Sequence, residues 1–151
     1  MTPSHTIAAF MKGFEKLRLK AYYPTKDDKP TIGYGETNGV RMGMVWTVEK
    51  AEANFAARLS ELGIAVWALV KKAPHTTQGQ FDAMVSLADN IGLANFAKSS
   101  VRTNHVAGHN ATAALAFLLW DKQRGGDGVL RPLRGLTRRR AAEAAIYRGD
   151  A

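Results

Sequence analysis

The 151-residue chain contains no cysteine. Disulfides, thiolate zinc sites, iron–sulfur clusters and cysteine nucleophiles are therefore excluded. It also lacks any run of about 18 uninterrupted apolar residues, so nothing in the sequence reads as a membrane span. The first residues, MTPSHTIAAFMKGFE, show no basic region followed by a long apolar run. They are read as lacking a secretory signal, which points to a protein made in a cytoplasm. Acidic residues are few, 13 against 21 Lys and Arg, which leaves a net charge of +8 and a pI near 10.0. A surface of that sign favours polyanions such as nucleic acid, anionic membrane or an acidic cell wall, without choosing among them.

What is present is ordinary for a folded protein: 46% hydrophobic and 23% charged residues, too apolar for disorder. The length fits about one domain, long enough to bury roughly 68–70% of the surface its unfolded chain exposes. The basic residues are concentrated late. Residues 122–151 carry Lys122, Arg124, Arg131, Arg134, Arg138, Arg139, Arg140 and Arg148 against Asp127, Glu143 and Asp150.

The hydrophobic period sets the element order. Ile7, Phe10, Met11 and Phe14 recur at helical spacing behind Ser4, a candidate N-cap, and the helix is expected to end near Glu15. Residues 17–35 change character. LRLKAYY alternates, Pro24 and Pro30 exclude a helix interior, and TIGYG is β-branched, aromatic and glycine-rich. A β-hairpin with its turn near 26–29 is predicted, then a loop or third short strand over 36–46. Thr47 opens a long helix with the stripe Phe55, Leu59, Leu62, Val66, Leu69 and Val70, running to about Lys72. Thr77 and Gln80 have capping-box spacing, with Phe81, Met84, Val85 and Leu87 inward. Further helices are expected over 98–105, over 110–120 with Asn110 as N-cap, and from Thr137 to a stop at Gly149, with QRGGDG as a loop. The fold class is α+β, mostly helical, with a small N-terminal β-hairpin lobe.

Chemistry is concentrated between Glu15 and Thr37. Glu15 stands at a helix end and Thr31 on the returning strand, so the two are expected to meet across a small cleft. Apolar Phe14 and Leu17 beside Glu15 would raise its pKa by desolvation, which suits a general acid. A lone Glu at a helix end is more often a solvated charge, and spacing alone does not decide.

The segment resembles the phage-type lysozymes, glycoside hydrolase family 24, whose pattern is a Glu, then R-L-x-A-Y, an Asp, and T-I-G-Y-G-x-T. The chain has Glu15, Arg18-Leu19-Lys20-Ala21-Tyr22 and Thr31-Ile32-Gly33-Tyr34-Gly35-Glu36-Thr37. QFDAMVSLADNIG over 80–92 is similar to the family's Q-x-D-A-L-x-S-x-x-F-N-x-G helix. Asn95-Phe96 with Ser99-Ser100, the stretch ending at Trp120, and GLTRRRAAEAAIY over 135–147 continue the likeness to its closing G-L-x-x-R-R-x-x-E motif.

The resemblance implies a single lysozyme-like catalytic domain over residues 1–151, with the hairpin lobe and a helical C-terminal lobe joined by the long helix. It implies a monomeric peptidoglycan hydrolase, without metal or cofactor, that cleaves the β-1,4 bond between N-acetylmuramic acid and N-acetylglucosamine. Glu15 matches the family's acid and Thr31 the residue that helps hold the attacking water. The family's Asp has no counterpart at its usual spacing, where Pro24 or Thr25 stands. The Glu–Thr interval is one residue longer than usual, which displaces the carboxylates to Asp27 and Asp28. Asp28 is favoured as the base because it is nearer Pro30-Thr31. Asp27, or Thr25 as a neutral substitute, is the alternative, and a solvated KDDK turn is the bland reading. Glu36, where His is usual, and Asp89, where Phe is usual, also depart from the pattern.

Other signals are weaker. His105 and His109 are four apart, but Gly108 lies between them and no third ligand is evident, so a surface pair is expected rather than a metal site. Arg138, Arg139 and Arg140 are expected to contact anionic wall polymer, with a solvated helix start as the plain reading. Trp46, Trp67 and Trp120 read as core rather than sugar platforms. The competing functional class is a catalytically impaired module that binds wall glycan or nucleic acid through its basic face. Against it, Glu15 and Thr31 favour an enzyme acting on peptidoglycan, with no nucleic-acid partner. It would be made in the host bacterial cytoplasm and reach the wall after a holin-type release.

Overall fold

The computed structural model describes residues 1–150. It comprises two compact units, Ala8–Glu61, and Met1–Ile7 with the chain from Leu62 onward. Helix α1 (His5–Phe14) and helix α2 (Val48–Val70) each contribute residues to both. Between them lie β1 (Arg18–Tyr22) and β2 (Thr31–Gly33). The remaining helices are α3 (Gln78–Ile91), α4 (Leu93–Lys98), α5 (Ser100–Val106), α6 (Asn110–Ala116) and α7 (Arg134–Arg148), with β3 (Lys122–Arg124) and β4 (Leu130–Pro132) before the last. The mostly helical α+β class is as expected.

In the unit Ala8–Glu61 the hairpin forms where the prolines and alternation placed it. β1 and β2 pair antiparallel, Arg18 opposite Gly33 and Tyr22 opposite Thr31, with an irregularity between that gives β1 the longer path. The turn is closed by the Asp28 N–H donating to the Thr25 carbonyl at 3.1 Å. The segment after it adds a short third edge: Lys20 pairs with Val45, and the Trp46 N–H donates to the Leu19 carbonyl at 2.8 Å. These strands enclose Ala21, Ile32, Val40, Trp46 and Ala51, with Leu17, Leu19, Tyr34 and Met44 packed around them.

The caps explain much of the helical register. The Ser4 hydroxyl accepts from the Ile7 N–H at 3.1 Å, and Thr47 accepts from Lys50 at 3.1 Å. Thr77 and Gln80 form the reciprocal capping box. Along α2, Ala51, Phe55, Leu59, Val66 and Val70 are buried while Ile64 is exposed. By length and composition α2 alone among the described helices reaches what a membrane crossing needs. Its one-sided burial is that of an amphipathic helix.

Four expectations are corrected. The helix expected over 98–105 is α5, which starts at Ser100 because the Ser99 hydroxyl caps it through the Arg102 N–H, and a separate helix, α4, precedes it and ends at Lys98. Asn110 is the first residue of α6 rather than its cap, and 117–120 tightens into a 3-10 turn. QRGGDG is no simple loop, because Lys122–Arg124 and Leu130–Pro132 pair as a second hairpin. Thr137 does not cap α7, which starts a turn earlier at Arg134. The Thr137 hydroxyl is instead within reach of the Leu133 carbonyl at 3.0 Å and Asp121 at 3.2 Å.

His105 is neither a metal ligand nor a surface residue. It is fully buried, with Nδ1 2.6 Å from the Tyr147 hydroxyl and Nε2 2.8 Å from Thr76 Oγ1. His109 is exposed. Burial holds the His105 imidazole below its usual pKa and pushes Tyr147 up to about 12. Because the unfolded chain takes the proton first, the His105 contribution to stability is complete above about pH 6.5. It is lost as pH falls from there toward the lowered folded value. The melting temperature of the parent is expected to drop between pH 7.5 and 5, and His105→Gln, which cannot ionise, to flatten that part of the curve. Parallel curves for the two proteins would remove His105 as the cause.

Candidate functional site

The unit Ala8–Glu61 contains every residue of the expected site. Glu15 follows the last turn of α1, its N–H donating to the Lys12 carbonyl at 3.2 Å, and is half-buried. Its apolar neighbours diverge. Phe14 is exposed and meets Phe10 edge-on at 5.0 Å, whereas Leu17 packs on the hairpin core.

Glu15 reaches the T-I-G-Y-G segment. Immediately after β2 the chain reverses over 33–35, closed by Ile32 N–H to Glu36 carbonyl at 3.0 Å and Glu36 N–H to Ile32 carbonyl at 2.9 Å. Both glycines have positive φ, +67° at Gly33 and +83° at Gly35, a region L side chains rarely occupy. Each also faces a close neighbour. A Cβ on Gly33 would lie 2.8 Å from the Trp46 ring, and one on Gly35 would lie 2.9 Å from Glu15 Oε2. The turn that pairing forces on this sequence thus presents bare backbone to the Glu15 carboxyl.

Thr31 begins β2 and is buried, 5% exposed. Its hydroxyl donates to the Lys29 carbonyl at 3.0 Å. That donation uses its single proton and leaves the oxygen as an acceptor. Asp27, Asp28 and Thr25 are all exposed on the hairpin turn. The structure therefore joins Glu15 to the Gly35 turn, places Thr31 on the strand entering it, and leaves both turn carboxylates facing solvent.

Polar residues that spacing alone did not flag brace the turn. The Tyr34 hydroxyl donates to Glu52 Oε1 at 2.7 Å, and Glu52 pairs with Lys12, whose ammonium lies 5.1 Å from the Tyr34 ring centre. The Lys12 hydrogen bond, with Tyr34, holds the Glu52 carboxyl below its ordinary pKa. Glu36 accepts from the Thr37 and Asn38 N–H groups at 3.0 and 3.2 Å and from Asn54 at 3.1 Å. Burial pushes its carboxyl up, but these donors and the nearby Arg58 charge outweigh it and hold the pKa low. Arg58 donates to the Tyr34 carbonyl at 2.8 Å. The sequence signal available was Glu52 and Asn54 on the first turns of α2, three and one residues before the apolar Phe55.

The basic run is corrected. Arg138 is exposed, but Arg139 and Arg140 are buried, 3% and 0% exposed, and cannot meet a wall polymer. Both pair with buried Glu143, at 3.2 and 2.8 Å. Their spacing from Glu143, four and three residues, is that of ion pairs on one helix face. Of the tryptophans, Trp46 is buried and Trp67 packs edge-on against Phe81 at 6.1 Å. Trp120, expected in the core, is half-buried and lines an open recess of about 290 Å³ with Asn90, Asn95 and Gln123.

Comparison with known proteins identifies the family of the chain. Residues 12–143 match the family described as Phage lysozyme. The chain is 35% identical over 137 residues to the endolysin of Acyrthosiphon pisum secondary endosymbiont phage 1, covering 91% of each. The endolysin from Escherichia coli O157:H7 phage FAHEc1 superposes with a TM-score of 0.86 at 36% identity, over 97% of this chain and 93% of that one. The muramidase domain of SpmX from Asticaccaulis excentricus gives 0.85 at 35% identity, over 95% of each. The matched span includes Glu15, the T-I-G-Y-G turn and Glu143, and the chain belongs to the phage lysozyme family.

Proposed function

We propose that the chain is a peptidoglycan hydrolase, a muramidase cleaving the β-1,4 bond between N-acetylmuramic acid and N-acetylglucosamine, and acts as a lytic endolysin. The observation that carries the reading is the Glu15 carboxyl set against Gly35, on the turn that Thr31 leads into. Family membership and the muramidase likeness support the substrate class. The endolysin likeness supports action on a host cell wall, and this reading has the chain made in the host cytoplasm and reaching the wall after a holin-type release. Residues 1–151 act in this reading as one catalytic domain and as a monomer.

In the proposed reaction Glu15 protonates the leaving glycosidic oxygen. An inverting course needs a water on the opposite face of the sugar, with roughly 6.5–9.5 Å between the two groups that serve acid and water. Thr31 suits the water. Its own proton is committed to Lys29, so its oxygen accepts a hydrogen bond from the water and leaves a water lone pair free for the sugar carbon. It does not take the proton away, since a hydroxyl is not appreciably ionised near neutral pH. The base is assigned to Asp28, three residues before Thr31 with Pro30 fixing the approach. Asp27 is its alternative.

Clearing of bacterial walls embedded in a gel tests the activity. Asp28→Asn and Asp27→Asn, made separately, test the base. Asp28→Asn is expected to lose about 10²-fold or more in turnover at an unchanged melting temperature, and Asp27→Asn to keep parent activity. The reverse pattern moves the role to Asp27. Full activity in both removes the turn carboxylates from the reaction.

A further inference from the structure

We propose that Gly35 is a positioning residue for the acid: the missing side chain at position 35 creates the space the Glu15 carboxyl occupies. The inference rests on the assignment of Glu15 as proton donor. A Cβ at position 35 would lie 2.9 Å from Glu15 Oε2, 3.1 Å from Cδ and 3.4 Å from Oε1. All three atoms of the carboxyl group are involved, so the added carbon displaces the group as a whole rather than grazing one oxygen.

The neighbouring glycines separate this contact from backbone strain. Gly39 and Gly43 also have positive φ, +71° and +96°, yet a Cβ on either meets nothing within 4 Å. Gly33 is closed by the Trp46 ring, a core contact. Among the positive-φ glycines of this unit, position 35 alone is closed by an ionisable group. The turn is also fixed on both sides. Tyr34 is tied to Glu52 and Glu36 to Asn54, while Ile32 and Glu36 exchange two backbone bonds. When a carbon is added, the backbone of the turn is therefore held and the Glu15 side chain, which ends a flexible chain, is the part that yields. The consequence is specific: little additional loss of fold, but a misplaced acid.

Three variants in the full chain test this: Gly35→Ala, Gly39→Ala and Glu15→Gln, with the double variant Gly35→Ala/Glu15→Gln. Gly35→Ala and Gly39→Ala carry the same kind of φ strain, and only the first reaches Glu15. Gly35→Ala is expected to lose about 10²-fold in kcat, the scale of a displacement near 1 Å, with KM within about twofold. Gly39→Ala should keep the parent kcat. In the Glu15→Gln background, adding Gly35→Ala should cost no further turnover, because both changes remove one function. A carboxyl titration by ¹³C NMR gives a readout independent of turnover: the Glu15 midpoint should move in Gly35→Ala and stay in Gly39→Ala.

Equal kcat losses in the two alanine variants, or an unmoved Glu15 midpoint in Gly35→Ala, overturn the positioning role. A further loss in the double variant, multiplying that of Glu15→Gln, assigns Gly35 to folding instead. A Glu15→Gln protein with parent activity overturns the acid assignment itself, and the NMR comparison still reports whether residue 35 governs the carboxyl. If Gly35→Ala does not fold by circular dichroism while Gly39→Ala does, Gly35→Ala/Glu15→Ala decides. Recovery of the fold on removing the carboxyl sustains the contact, and failure to recover overturns it.

Discussion

Glu15→Gln is expected to abolish nearly all turnover while leaving wall binding intact. Glutamine has the size and polarity of the acid and keeps an oxygen or nitrogen against Gly35, so the local packing is retained. What it lacks is a transferable proton at the leaving oxygen. General acid catalysis is worth typically 10²–10⁴-fold, and the loss should fall on kcat rather than KM, because the proton is delivered only as the bond breaks. Sedimentation of the variant with purified walls measures binding, and clearing of the same walls measures turnover. A variant that sediments like the parent and clears about 10²-fold more slowly or worse fits the role. One that clears at the parent rate takes Glu15 out of the reaction, whatever its neighbours.

The sequence was most legible where local chemistry and tertiary placement agree. Ser4, Thr47, Thr77 and Gln80 cap the helices they were expected to cap, because a side-chain acceptor before an apolar-periodic run has few better uses. Glycine and β-branched residues around Thr31 placed the hairpin, and Gly33 and Gly35 both serve close backbone approach. Legibility failed where long-range contacts decide. Three consecutive arginines read as a charged face, but a helix turns by 100° per residue, and only partners elsewhere show that Arg139 and Arg140 point inward while Arg138 stays exposed. The second hairpin escaped because Lys122–Arg124 and Leu130–Pro132 are exposed on both faces and carry no alternation to read. His105 was missed because nothing local to it predicts the hydroxyls of Thr76 and Tyr147, 29 and 42 residues away. At the site, the extra hairpin residue is visible in the sequence. Which face Asp27 or Asp28 turns is a matter of register, and one residue reverses it.

The largest stability effect is expected at Glu143. Its carboxyl is fully buried between two buried guanidiniums. Oε2 accepts from the Ser86 hydroxyl at 2.5 Å and from Arg139 Nε at 3.2 Å, and Arg139 also reaches the Ser86 carbonyl at 3.2 Å. Arg140 Nε lies 2.8 Å from Oε1 as an ion pair without hydrogen-bond alignment, and its Nη2 donates to Asn90 at 2.8 Å. Burial pushes the carboxyl pKa up and the Arg140 pKa down, so each charge depends on the other for compensation. Glu143→Gln removes the negative charge that both buried guanidiniums share. Breaking a buried pair from one side costs about 3–5 kcal/mol, a large part of the roughly 5–15 kcal/mol that holds a domain together. At about 2–4 °C per kcal/mol for a chain of this size, the melting temperature should fall by roughly 6–20 °C. Removing the charges together, as Arg139→Leu/Arg140→Met/Glu143→Leu, should recover most of the loss, since apolar replacements of a whole buried triad are often neutral or stabilising. Thermal melts followed by circular dichroism measure both. A Glu143→Gln protein that melts within about 2 °C of the parent would show that the two guanidiniums find other compensation, and the triad would then contribute little to the fold.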